Sequence, residues 1–164
     1  MNESKAKRIV SVCKQCFREQ DLYILWELPE VGRITFLATG THDAIFLNMS
    51  CTYDPSHELV ELSMVSSDTF PEQAMASLLE LVDLLNIAEI TATWSVTPDR
   101  NVELRGALMC NPDTLDKAQV KKTLARFMEC VSRCYPAIVN HVSGGKTAQE
   151  SMDKLVEQNK DFFI

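Results

Sequence analysis

With 164 residues, 46% apolar and 24% charged side chains, and only five Gly and six Pro, the chain is neither disordered nor of low complexity. It is long enough to bury its own core, as a single domain over 1–164, without disulfides or a structural metal. The net charge of −7 is unevenly spread, since positions 34–99 hold ten Asp and Glu and no Lys or Arg while the remainder is net positive. An acidic stretch of that kind releases no counterions to a polyanion, which excludes nucleic acid and an anionic membrane surface as its partners.

Residues 5–20 have a helical period, with Ile9, Val10, Cys13, Cys16 and Phe17 on one stripe and Lys5, Lys7, Arg8, Lys14 and Arg18 between them. Strand-like runs follow at 22–28, 33–39, 44–51 and 59–66. They are separated by Pro29-Glu30-Val31-Gly32, Gly40-Thr41-His42-Asp43 and Asp54-Pro55-Ser56-His57, all turn-forming compositions, and such short connections imply an antiparallel meander. Leu22, Ile24 and Trp26 alternate with Tyr23 and Leu25, and Phe46 and Asn48 with Ile45, Leu47 and Met49. The expectation is a meander that is apolar on both faces and covered by a terminal helix or a second copy of the chain.

A leucine-rich helix begins near Pro71, with Asp68 or Thr69 as its cap, and ends between Asn86 and Glu89. Ile90, Ala92, Trp94 and Val96 then alternate with Thr91, Thr93, Ser95 and Thr97. The hairpin turns at 97–101 and returns with Val102, Leu104, Gly106, Leu108 and Cys110 on one face and Glu103, Arg105 and Met109 on the other, a pattern expected of a sheet packed on one side. After Asn111-Pro112-Asp113-Thr114 comes a long helix carrying Leu115, Val120, Leu124, Phe127, Met128, Val131 and Cys134, which Pro136 should stop or bend. Gly144-Gly145 breaks the short apolar continuation, and 147–159 forms the last helix. The fold class is α+β, a twisted antiparallel sheet with helices packed on it in the order αββββαββαα.

No apolar run reaches the roughly 18–20 residues of a membrane span, and residues 1–8 are polar without a signal-peptide core, so a cytoplasmic location is expected. There the six cysteines, Cys13, Cys16, Cys51, Cys110, Cys130 and Cys134, are reduced thiols. Cys13 and Cys16 form a CxxC, and with Cys130 and Cys134 they could make a four-thiolate zinc site, but both pairs fall on helices and buried thiols are the plainer account. Ser143-Gly144-Gly145-Lys146-Thr147 has the look of the end of a phosphate-binding loop, yet Asn140 stands where the first Gly belongs and no strand precedes it. A Gly helix stop followed by a Thr cap explains it. His42, His57 and His141 lie at turns or near a helix end and read as solvated, and a Cys51–His57 dyad lacks an orienting third group. Trp26 and Trp94 read as core or interface aromatics. No catalytic, cofactor-binding or metal-binding residue is assigned.

The helix–hairpin–helix stretch resembles the YbjN family, bacterial proteins labelled sensory transduction regulators. The resemblance rests on residues 79–86, on Thr93-Trp94-Ser95-Val96 and Val102-Glu103-Leu104-Arg105-Gly106-Ala107-Leu108, and on 131–145 with Tyr135-Pro136, and in order of elements it extends over residues 23–155. That family is similar in fold to the class I type III secretion chaperones, which are acidic, dimeric and without a catalytic site. The resemblance implies a non-enzymatic, protein-binding chaperone-like or regulatory protein, a homodimer whose partner is another protein. The alternative is a small-molecule or metal-binding sensor using the cysteine pairs.

Overall fold

A computed structural model describes residues 3–30, 33–43, 45–88, 92–110 and 113–163. The elements are α1 (Glu3–Arg18), β1 (Tyr23–Glu30), β2 (Arg33–His42), β3 (Ile45–Asp54), β4 (Leu59–Val65), a 3-10 turn (Glu72–Ala74), α2 (Met75–Ala88), β5 (Ala92–Val96), β6 (Val102–Met109), α3 (Lys117–Gly144) and α4 (Ala148–Gln158). This is the αββββαββαα order that the apolar periods predict. The expected positions Val31, Gly32, Ala44, Glu89, Ile90, Thr91, Asn111 and Pro112 lie outside the described residues.

The six strands form one antiparallel sheet in the order β1-β2-β3-β4-β6-β5. Residues directly opposite in the ladder share a face. One such row is Ala38, Met49, Met64, Leu104 and Trp94, all buried, and the adjacent row Phe36, Cys51 and Leu62 is buried as well. All four helices lie on this side. Phe17 of α1 meets Phe36 of β2 edge to face, with centroids 5.0 Å apart, and Ile9, Cys13 and Cys16 are buried on the same stripe. α3 contributes Leu124, Met128, Val131 and Ile138, and α2 contributes Leu78, Leu81, Val82 and Leu85.

The meander is therefore not apolar on both faces. The opposite rows alternate Thr35, Thr52 and Glu61, then Leu37, Ser50, Ser63, Arg105 and Thr93, then Thr39, Asn48, Val65, Glu103 and Ser95, and among the described residues no helix covers them. β2 also runs beyond its expected end at Thr39 to His42, because Gly40 pairs with Leu47 and not within a turn. A Cβ at Gly40 would stand 2.7 Å from Leu22 Cδ2 and 3.0 Å from the Asp21 carbonyl. Gly40→Ala should accordingly cost about 1–3 kcal/mol by forcing β2 away from the α1–β1 turn, and a denaturant midpoint equal to that of the unmodified protein would refute this packing.

Two helix expectations need correction. α2 is not capped by Asp68 or Thr69: Pro71 precedes the 3-10 turn without a side-chain cap bond, while the Asp68 carboxylate accepts the Tyr135 hydroxyl and Thr69 Oγ1 lies 3.4 Å from Asn101 Nδ2. Pro136 does not stop α3, which runs on to Gly144. A mid-helix Pro costs about 3 kcal/mol, and burying Ile138 and placing His141 between α2 and α4 offset that cost. The ends of α3 and α4 follow local chemistry. Asp116 accepts from the Ala118 amide, Gly145 closes α3 at φ 61°, and Thr147 with Glu150 forms a reciprocal capping box on α4.

Candidate functional site

The open face of the sheet is concave. Its polar half is a cavity of about 630 Å³ over β3, β4, β6 and β5, lined by Thr52, Glu61, Thr93, Glu103 and Arg105 among others. Its apolar half is a cavity of about 260 Å³ over β1 to β4, lined by Leu25, Trp26, Leu37 and Val65. Ser50 and Ser63 line both, so the two halves adjoin as one trough. Six strands at ~4.8 Å spacing make it about 24 Å across, the reach of about seven extended residues.

The apolar half leaves large side chains in solvent: Trp26 is 53% accessible, Leu25 48% and Val65 36%. Trp26 reaches the open face because β1 carries an irregularity between Ile24 and Trp26, which sets Trp26 opposite Leu37. In the polar half, Glu103 accepts hydrogen bonds from Ser63 Oγ at 2.7 Å and Arg105 Nε at 2.9 Å. Burial alone would raise the Glu103 pKa, but the bonds from Arg105 and Ser63 outweigh it and hold the carboxyl below its usual value. A depressed carboxyl contributes stability above its unfolded pKa, and that contribution is lost as the pH falls through the folded value. Glu103→Gln should lower stability by about 1 kcal/mol at neutral pH, and the deficit should close in acid as Glu103 itself protonates. A deficit that persists unchanged at pH 3 would contradict the assignment.

Both edges of the sheet are blunted. On β5 the Asn86 side chain at the end of α2 takes up both outward backbone groups of Trp94, accepting from its N–H at 2.7 Å and donating to its C=O at 2.9 Å. On β1 the irregularity at Leu25 and Pro29 within the strand do the same service. A partner therefore finds the face more accessible than the edges.

The cysteines do not form the four-thiolate set drawn from the sequence. All six are free and buried, and among the described residues no three His, Cys, Asp or Glu side chains cluster to hold a metal ion. Cys13 shares a hydrogen bond with Cys51 of β3, and that bond, followed by burial, keeps Cys51 protonated well above the ordinary thiol range. Burial likewise pushes the Cys110 thiol up to about 11. Cys51 thus faces the helices, whereas His57 is exposed in the β3–β4 turn on Asp54, and they make no dyad.

His141 is not a solvated histidine. It is 4% exposed, with Nδ1 2.9 Å from Ser151 Oγ of α4 and Nε2 2.6 Å from Ser77 Oγ of α2. Nε2 also lies 3.1 Å from the Ser77 carbonyl, which can only accept, so a hydrogen on Nε2 has a partner there. The residue ties three helices together. Trp94 is core at 1% exposure, and Trp26 is the tryptophan left on the surface.

No helix among the described residues is long and apolar enough to cross a membrane. No family model matches the sequence, and no curated protein matches it. Among solved structures, the chain is similar to one in the HopA1–SchA chaperone–effector complex, with 10% identity over 79% of this chain and 94% of that one and a TM-score of 0.49.

Proposed function

We propose that the chain is a non-enzymatic protein-binding module of chaperone-like or regulatory kind, working in the bacterial cytoplasm, and that the open sheet face holds a basic, amphipathic segment of a partner polypeptide. The observation that carries this reading is the trough itself, with exposed Trp26 and Val65 and half-buried Leu37 at one end and Glu61 and Glu103 at the other. The stretch 34–99, which includes three of the six strands whole and most of β2, holds ten acids and no Lys or Arg. Among the described residues the one cation lining the polar half, Arg105, is already engaged by Glu103. A segment that buries apolar side chains against β1–β4 and brings its own cations satisfies both halves, and electrostatic steering speeds its arrival. The YbjN-like pattern of the helix–hairpin–helix stretch is in keeping with this role.

The homodimer belongs to the same proposal. α2 is apolar around most of its circumference, and it leaves Leu79 48% and Ile87 77% exposed on a side turned away from the sheet, which a second copy would cover. Sedimentation should show a dimer that Leu79→Glu with Ile87→Glu dissociates. A wild-type monomer at high protein concentration would remove this part.

Binding is tested with two synthetic 18-residue probe peptides, one alternating Leu with Lys and one alternating Leu with Glu, followed by fluorescence anisotropy. The Leu–Lys peptide should bind with micromolar affinity that weakens with salt, and the Leu–Glu peptide should not bind. Equal binding of the two, or none of either, would overturn the reading.

A further inference from the structure

On the far side of the molecule from the open sheet face, α3 and α4 enclose a cavity of about 260 Å³ whose lining includes Arg133, Lys146 and Lys154 together with Asn140, Ser151 and Gln158. No carboxylate lines it. Three cations meet in this one concave, polar space, in a chain of net charge −7. The cations are only partly spent. Arg133 gives Nη2 to Glu129 at 2.7 Å and Nη1 to Asn159 Oδ1 at 3.1 Å, which fixes the guanidinium in place. Lys146 stands near Glu150, whose carboxylate is committed to the α4 cap through the Thr147 amide at 2.9 Å. Lys154 makes no ion pair among the described residues.

The floor of the cavity is rigid. His141 holds Ser151 at 2.9 Å and is itself anchored on Ser77 of α2, so the α3–α4 spacing is set by a hydrogen-bonded network and does not depend on the surface lysines. Asn140 and Gln158 add amide donors to the rim.

We propose that this cavity is a binding site for a small phosphate-bearing anion, inorganic phosphate or a phosphate monoester. Arg133 has Glu129 and Lys146 has Glu150 as carboxylate neighbours, so the site keeps a net positive charge and three cationic donors, which suit the several oxygens of one phosphate group better than a single carboxylate. The volume lies below the ~300–1,000 Å³ of sites for larger ligands, which restricts the occupant to a small molecule. The site is not a phosphate-binding loop: Gly145 closes α3, Thr147 opens α4 with its amide on Glu150, and the lysine side chains supply the charge.

The test is thermal unfolding of the full chain in inorganic phosphate, in glycerol 3-phosphate and in sodium chloride of matched ionic strength, with amide shifts recorded in parallel. At about ten times the dissociation constant the phosphate compounds should raise the Tm by about 4 °C above the chloride control, with amide shifts centred on Ser151 and Lys154. Equal rises for both compounds mark the phosphate group alone as the ligand; a larger rise with glycerol 3-phosphate marks a monoester. Lys146→Gln with Lys154→Gln should abolish the difference, and Lys122→Gln, on an exposed part of α3, should keep it. A chloride effect equal to that of phosphate, or a phosphate effect that survives the double substitution, would overturn the site.

Discussion

Asn86→Ala should be the most destabilising single polar substitution in the molecule, lowering stability by about 3 kcal/mol and the Tm by about 9 °C. The cost comes from two backbone groups. Trp94 sits opposite Leu104 in the ladder, and its N–H and C=O both turn outward to the Asn86 amide, at 2.7 and 2.9 Å. Trp94 is 1% exposed, so neither group finds water when the amide is removed, and each is left as an unsatisfied buried polar atom. Asn86→Asp keeps the acceptor for the N–H and loses the donor to the C=O, so it should also be destabilising. The alanine variant further bares the β5 edge and should aggregate more readily on heating. An unfolding midpoint within error of wild type would show that the amide is incidental to the sheet edge.

Leu37→Asp should weaken binding of the Leu–Lys probe by at least tenfold while leaving the fold intact. Leu37 is half-buried in the apolar half of the trough, across the ladder from Trp26 on one side and Ser50 on the other. An added carboxylate strengthens the long-range attraction for a basic peptide, so a loss of affinity isolates the apolar contact as what holds the ligand. Trp26→Ala, which removes the largest exposed side chain of the trough, should cost about 2 kcal/mol, close to thirtyfold. If Leu37→Asp instead binds the basic peptide more tightly, the interaction is bulk charge attraction and the trough has no part in it.

Period and turn chemistry disclosed the order of elements because each signal is local. The stripe Ile9, Cys13 and Phe17, the alternation from Ala92 to Val96, and the Gly145 stop with its Thr147 cap depend only on neighbours in the chain. What failed depends on tertiary partners. Gly40 looked like a turn residue, and only the approach of Leu22 shows why a strand needs it there. Pro136 looked like a stop, and the helix continues because burial of Ile138 and the bonds of His141 outweigh its defect. The two-sided apolar reading of the meander failed for a related reason. Period-2 alternation puts Thr35 and Thr39 on the face of Leu37, but only the cross-strand register adds Ser50 and Ser63 to it, and only the irregularity in β1 brings Trp26 there.

The candidate site was legible in part. The uneven acidity and the apolar pattern on both faces of the early strands drew attention to them before any register was known, while the exposure of Trp26 was not legible. Glu103 and Arg105, two apart on one strand, were readable as neighbours on one face, although the Ser63 bond that completes the cluster comes from β4. Of the α3–α4 cavity only Lys146 fell in a stretch that the sequence singled out, and Arg133 and Lys154 join it only because α4 folds back along α3.

The open face is tested most directly by titrating isotope-labelled protein with the Leu–Lys peptide and mapping the amide shifts. The trough predicts the largest changes at residues 35–39, 48–52, 61–65 and 103–105, with α3 and α4 unchanged. Largest changes on the outer faces of α2, α3 or α4, with the sheet silent, would contradict it.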